Sequence, residues 1–161
     1  TVTRTVVEIG EALRAKGLAS LAVVNAHYGN MPALRDAQRI LKDRDITAAV
    51  MFYPGAARPT AHVREMPAAH PAYMHACEIE TSYMLRLAPE SVQMEKAIAN
   101  YPEFPSDFGE LSYRWSEFSH SPVLGDARAA TAEKGRIILD AVLDRMAEIV
   151  ADLHARQRPA R

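Results

Sequence analysis

Apolar positions in the first third of the chain alternate between two spacings. Val2, Val6, Ile9 and Leu13 recur at helical intervals, and Gly17 after Lys16 is a stop, so a first helix is predicted there. Leu18 to Val24 is a short unbroken apolar run, as expected for a strand buried on both faces. Asn30 is placed to cap the next helix, Pro32 is tolerated in its first turn, and Leu34, Ala37, Ile40 and Leu41 form its buried stripe. Ile46 to Tyr53, closed by Pro54-Gly55, reads as a second buried strand. Helix, strand, helix, strand with short connections predicts a right-handed crossover and a parallel sheet in an α/β fold.

Beyond Pro54 the pattern weakens. Residues from Pro54 to Pro71 hold four prolines and two histidines and read as a long loop over the carboxyl edge of the sheet. A helix is predicted from about Ala76 to Leu87, ending before Pro89, with a second short helix over residues 90 to 99. Tyr101 to Asp126 is rich in aromatics, Pro and Ser, with a short strand expected around Tyr113 to Phe118. From about Ala129, the residues Ile138, Leu139, Val142, Leu143, Met146, Ile149, Val150 and Leu153 mark a long final helix, and Arg156 to Arg161 is expected to fray. No repeat or linker divides the chain, so one α/β domain over residues 1–161 is expected.

Composition narrows the function classes. At 161 residues and 48% hydrophobic content, the chain can bury one substantial core. A net charge of -1 with no basic block gives no footprint for nucleic acid. No apolar run approaches the ~20 residues a membrane helix needs. The single cysteine, Cys77, excludes an internal disulfide and is compatible with a reducing compartment, so a cytoplasmic location is expected.

The chemistry-bearing residues fall in two clusters. Asn25-Ala26-His27-Tyr28-Gly29-Asn30 sits where the first strand stops, and open α/β sheets bind small molecules at strand carboxyl ends. There His27 can serve as a metal ligand or a base, or it can simply hydrogen-bond the turn, with Asn25 and Asn30 as local caps. The second cluster is His75-Ala76-Cys77-Glu78-Ile79-Glu80-Thr81-Ser82. Helical geometry puts Glu80 near Ala76, Cys77, Tyr83, Met84 and Leu87, and puts His75, Glu78 and Ser82 on another face. A carboxylate among apolar side chains needs a cation, a metal or donors. The plainer alternative, two acidic residues at a helix N-terminus, suits Glu78 better than Glu80. Cys77 reads as a buried structural thiol. His62 and His70 read as loop surface, and His154 as solvated. Trp115, with Tyr113, Phe118 and His120, either closes over a substrate or packs an irregular region.

These residues, in this order, resemble the creatininase (creatinine amidohydrolase) family. Asn25 to Asn30 is similar to its Asn-Gly-His-Gly-Gly-Asn turn. His75 to Ser82 is similar to its His-Ala-Gly-Glu-x-Glu-Thr-Ser segment, with Cys77 in place of a glycine. Gly125 to Gly135 resembles the run that opens the family's last helix. The resemblance implies a three-layer α/β/α fold with a mainly parallel sheet and two divalent metals (Zn, Mn or Fe) at the strand ends. It also implies hydrolysis of a C–N bond in a non-peptide, cyclic or formyl amide. In that pattern His27 ligates one metal, and Glu80 ligates or supports the metal centre. His75 lies near the substrate with a proton-transfer role, while Tyr28, Asn30 and Glu78 contact the small-molecule amide.

Two departures accompany the resemblance. Creatininase itself carries a metal-ligating glutamate after the His-Tyr pair, whereas Gly29 follows Tyr28 here, which makes creatinine a less expected substrate. The family's remaining ligands, a Glu-x-His pair and an aspartate, lie in a stretch that precedes the first helix of this chain. The expectation is therefore the C-terminal portion of a creatininase-like domain, completed by a companion N-terminal fragment and assembled as a homo-oligomer, a hexamer by resemblance. The competing expectation is a non-catalytic α/β subunit or small-molecule-binding module, whose polar motifs persist as turn and helix-cap structure.

Overall fold

The computed structural model describes residues 1–156, so the expected fraying lies outside the described residues beyond Arg156. The described residues form two compact units: Thr1–Gly55 together with residues 142–156, and Ala56–Ala141. The class is α/β, as the alternating spacings require.

In the first unit, helix α1 (Val2–Arg14) leads into strand β1 (Ser20–Val24), helix α2 (Met31–Lys42) and strand β2 (Thr47–Met51). β1 and β2 pair in parallel with Ser20 opposite Thr47 and Val24 opposite Met51, so the connection through α2 is the expected crossover. The core is Val7, Ala37, Leu41 and Ile46, with Val6, Leu21, Ile40 and Ala48 packed against it. α1 presents a slightly different face from the one its spacing suggests. Val7 and Gly10 are buried, while Val2 and Ile9 stay 43% and 47% exposed. A Cβ on Gly10 would lie 2.5 Å from Leu41 Cδ2, so the absent side chain lets α2 press onto this face. Gly17 ends α1 with φ +83°, a conformation glycine adopts without penalty.

The strands are less buried than a fully covered parallel pair. Leu21 and Val23 are half-buried, and Val24 is 67% exposed. Among the described residues each strand has a hydrogen-bonded neighbour on one side only, which leaves the other edge and part of a face open.

In the second unit, helix α3 (Ala57–Val63) interrupts what the prolines suggested was one long loop. Helix α4 (Glu78–Leu87) starts two residues later than expected. The predicted helix over residues 90 to 99 is instead two single 3-10 turns, Pro89–Ser91 and Met94–Lys96, because Val92 between them is extended. The predicted strand near Tyr113 is also replaced, by a turn at Trp115–Glu117 within an aromatic cluster. Strands β3 (Ala99–Asn100) and β4 (Gly125–Asp126) pair antiparallel. Helix α5 (Ala132–Arg156) runs from this unit into the first. Along it Ile138, Leu139, Val142 and Leu153 are buried, whereas Leu143 and Val150 of the expected stripe are largely exposed.

α4 and α5 meet backbone to backbone. A Cβ on Gly135 would fall 2.0 Å from the Ser82 carbonyl oxygen, so only glycine fits there. Ser82 itself is fully buried; its hydroxyl donates to the Glu78 carbonyl at 2.6 Å and accepts from the Thr131 N–H at 3.0 Å.

Candidate functional site

The turn after β1 is built around Asn25, 6% exposed. Its amide Nδ2 donates to the His27 carbonyl at 2.8 Å, and its Oδ1 accepts from the His27 N–H at 3.3 Å and from Asn30 Nδ2 at 3.1 Å. Asn30 therefore spends its side chain on Asn25 and makes no side-chain cap to α2, contrary to the role its position suggested. This network fixes the backbone and leaves the imidazole of His27 exposed. That ring lies over Gly29, where a Cβ would sit 2.6 Å from His27 Nε2. Among the described residues the imidazole makes no hydrogen bond or ion pair. A side chain at position 29 would displace it.

Tyr28 is 57% exposed and its ring lies 5.8 Å from that of Phe52, just beyond β2. Together with Met31, Pro32, Arg35, Val50 and Pro54 these rings line an open groove of about 640 Å³ within the first unit.

The His75 segment behaves differently. His75 is exposed, its Nδ1 lies 2.7 Å from the Pro122 carbonyl oxygen, and its ring is 5.3 Å from Trp115. A carbonyl only accepts, so Nδ1 carries the proton and Nε2 presents its lone pair outward. The backbone adds a second tie, since the Leu124 N–H donates to the His75 carbonyl at 2.7 Å. Ala76 then adopts φ +47°, an uncommon conformation for a residue with a Cβ. Its N–H donates to Glu80 Oε2 at 2.6 Å, so Glu80 holds this bend.

Glu78 and Glu80 exchange the environments expected of them. Glu78, not Glu80, is the deeply buried carboxylate, at 2% exposure. Lys134 Nζ donates to Glu78 Oε1 at 2.5 Å, to the Ala129 carbonyl at 2.7 Å, and pairs with Glu65 Oε1 at 3.0 Å. The Glu65 and Met66 N–H groups also donate to Glu78, each at 3.0 Å. Burial pushes the Glu78 carboxyl up, but the Lys134 bond, followed by the Met66 and Glu65 N–H groups, brings it below the ordinary carboxylate value. Burial likewise pulls Lys134 down, and its bonds to Glu78 and Glu65 outweigh that and hold it above the ordinary lysine value. This buried pair ties residues 65 and 66 to α4 and α5. Spacing within residues 75–82 gave no warning of it, because the cation arrives from position 134.

The other singled-out residues take structural places. Cys77 is buried, and a Cβ on Gly125 (φ +113°) would lie 3.1 Å from the Cys77 Cβ. His70 is not plain loop surface: it is half-buried, with ring contacts to Tyr73 at 4.8 Å and Phe104 at 4.6 Å. Phe104, Phe108 and Phe118 complete a small aromatic core, and Trp115 joins it through Phe118 at 5.3 Å. Trp115 Nε1 donates to the Ser121 carbonyl at 2.7 Å, which favours the packing alternative for this region. His62 and His154 are exposed. Asp126 is 3% exposed, and Arg128 beside it, donating from its side chain and its N–H, holds the carboxyl below its usual range.

Among the described residues no group of three or more His, Cys, Asp or Glu is placed to hold a metal ion. A catalytic metal takes about three protein ligands and an open position. His27 meets the requirement for one ligand, Glu78 is consumed by Lys134, and Glu80 has one oxygen committed to Ala76. The described side chains thus fit part of a metal centre, not a whole one.

The sequence model of the creatininase family (creatinine amidohydrolase) matches residues 1–150. Solved structures agree on the fold. A creatininase in a manganese form is 22% identical with a TM-score of 0.74, the match covering 94% of this chain and 63% of that one. A mutant creatininase of the Zn-Zn type is 23% identical with a TM-score of 0.70, covering 94% and 62%. A mutant creatininase complexed with creatine is 22% identical with a TM-score of 0.72, covering 98% and 65%. This chain therefore spans a little under two thirds of the length of the structures it matches. No curated protein matches it.

Proposed function

The chain belongs to the creatininase family, and from that premise we propose that it forms the His27- and His75-bearing part of a metal-dependent amidohydrolase. Its substrate in this reading is a non-peptide or cyclic amide. The observation that carries it is the His27 imidazole, held exposed over Gly29 and unbonded among the described residues, at the carboxyl end of a parallel strand. An imidazole serving only the turn would be expected to bond it, and here the Asn25 and Asn30 side chains do that work.

The divalent ions, Mn or Zn as in the family's structures, would take His27 as one ligand and Glu80 as a further one, with the remainder supplied by another polypeptide segment. A companion N-terminal segment and a homo-oligomeric assembly both fit this need. Glu80 offers Oε1, the oxygen not bonded to Ala76, and otherwise fixes the bend that presents His75. His75 has Nδ1 occupied, so Nε2 is the atom that gives or takes the proton of the leaving nitrogen. Tyr28 and Asn30 flank His27 and orient the amide. Glu78 supports the site by position and does not contact substrate.

The test is hydrolysis of a panel of cyclic and acyl amides by the protein with everything that accompanies it through purification. Activity lost to a chelator, regained with Mn²⁺ or Zn²⁺, and absent in His27→Ala supports the reading. The second reading, a non-catalytic subunit or binding module, is favoured by the engagement of Glu78 with Lys134 and of Glu80 with Ala76. It predicts no bound metal and no change on His27→Ala.

A further inference from the structure

The groove beside His27 is larger and more one-sided than a turn requires. Its volume of about 640 Å³ lies in the range of small-ligand sites, roughly 300–1,000 Å³. Tyr28, Phe52, Met31, Pro32, Val50 and Pro54 make its walls apolar. All follow or end the two parallel strands, or open α2, so the groove sits at the strands' carboxyl end in the same turn as His27.

One side chain breaks the apolar character. Arg35, on the second turn of α2, lines the groove and forms no ion pair among the described residues. Its Nη1 donates to the neutral Gln38 Oε1 at 3.2 Å, which leaves most of its five donors available. Arg39, Arg58 and Arg86 are also exposed without an ion pair among the described residues, so what distinguishes Arg35 is its place in the groove wall. A guanidinium at the rim of an apolar trough is suited to a planar anion, and a carboxylate accepts from it in a two-pronged arrangement.

We propose that this groove binds an amide carrying an apolar or aromatic body and a carboxylate, with the body against the wall that the Tyr28 and Phe52 rings form together and the carboxylate on Arg35. That the bound amide is hydrolysed rests on the amidohydrolase reading; the binding does not. Neutral amides of the same shape lose the anchor. Cyclic amides without an acid group are then poor ligands for this chain.

The test is calorimetric titration of N-acetyl-L-phenylalanine, and of its neutral carboxamide, into the purified protein in the presence of a chelator. The acid is expected to bind roughly tenfold more tightly than the carboxamide, as one charge-assisted pair implies. Arg35→Gln keeps helix propensity and should erase that difference while leaving the carboxamide unchanged. Tyr28→Ala should weaken both ligands. Equal binding of acid and carboxamide, no saturable binding, or an unaltered preference in Arg35→Gln would each overturn the proposal. Because a chelator is present, failure here is separate from failure of the metal-dependent reading, which is scored by chelator-sensitive hydrolysis.

Discussion

Lys134→Met removes the cation that neutralises Glu78 and leaves the rest of the pocket in place. Lys134 has 9% and Glu78 3% side-chain exposure, with 2.5 Å between the charged atoms, so the mutation strands a buried carboxylate. Removing one partner of such a pair costs about 3–5 kcal/mol. Glu78 keeps the N–H groups of Glu65 and Met66, which places the loss near the lower end, about 3 kcal/mol. For a chain of this length that is a fall in Tm of roughly 6–12 °C. Urea unfolding followed by circular dichroism measures it. Adding Glu78→Gln to Lys134→Met should restore most of the loss, because a neutral amide needs no cation and its Oε1 still accepts from the Glu65 and Met66 N–H groups. The pH profile carries a second signature. Glu78 is lowered in the folded protein, so its share of stability is present above the unfolded value of about 4.3 and drains as pH falls through the folded one. Lys134 is raised, so its share is full below about 10.4 and drains as pH rises through the folded value. Lys134→Met should flatten the acid limb. A single-mutant cost below about 1 kcal/mol, or a double mutant no better than the single, would refute the buried pair.

Three further outcomes follow from close approaches and fixed hydrogen bonds. Gly29→Ala should push the His27 ring aside and weaken metal binding, read by titration with Mn²⁺ or Zn²⁺, while stability stays within about 0.5 kcal/mol because the site is exposed. Gly135→Ala should destabilise by about 3 kcal/mol or more in a melting experiment, since the new Cβ would collide with the Ser82 backbone rather than with a movable side chain. His75→Gln should lower kcat by about 10²–10⁴-fold with little change in KM if Nε2 handles the leaving-group proton; steady-state kinetics on an amide substrate would show it.

Periodicity revealed the βαβ unit because its two strands and α2 satisfy local rules unaided. The parallel pairing of Ser20–Val24 with Thr47–Met51 and the buried Leu34, Ala37 and Leu41 all follow from apolar spacing. The buried face of α1 did not, because Gly10 contributes no hydrophobicity and acts through what it allows Leu41 to do. Residues 101–126 resisted for another reason: their aromatics pack on one another instead of repeating along an element. At the site, the strand-end turn and His27 were legible as a motif, and Asn25 was legible as a local cap but not as the hub that bonds both His27 and Asn30. The partner of Glu78 lies 56 positions away, and no local helical wheel contains it. The resemblance had marked both segments without indicating that they pair.

Elemental analysis of the purified protein, with every polypeptide that accompanies it, tests the metal role of His27 most directly. The wild type should carry divalent metal approaching stoichiometry, and His27→Ala prepared alongside should lose it, while the two proteins melt at the same temperature once both are stripped by a chelator. Equal metal in both proteins, or a wild type that takes up none when Mn²⁺ and Zn²⁺ are supplied, would contradict it.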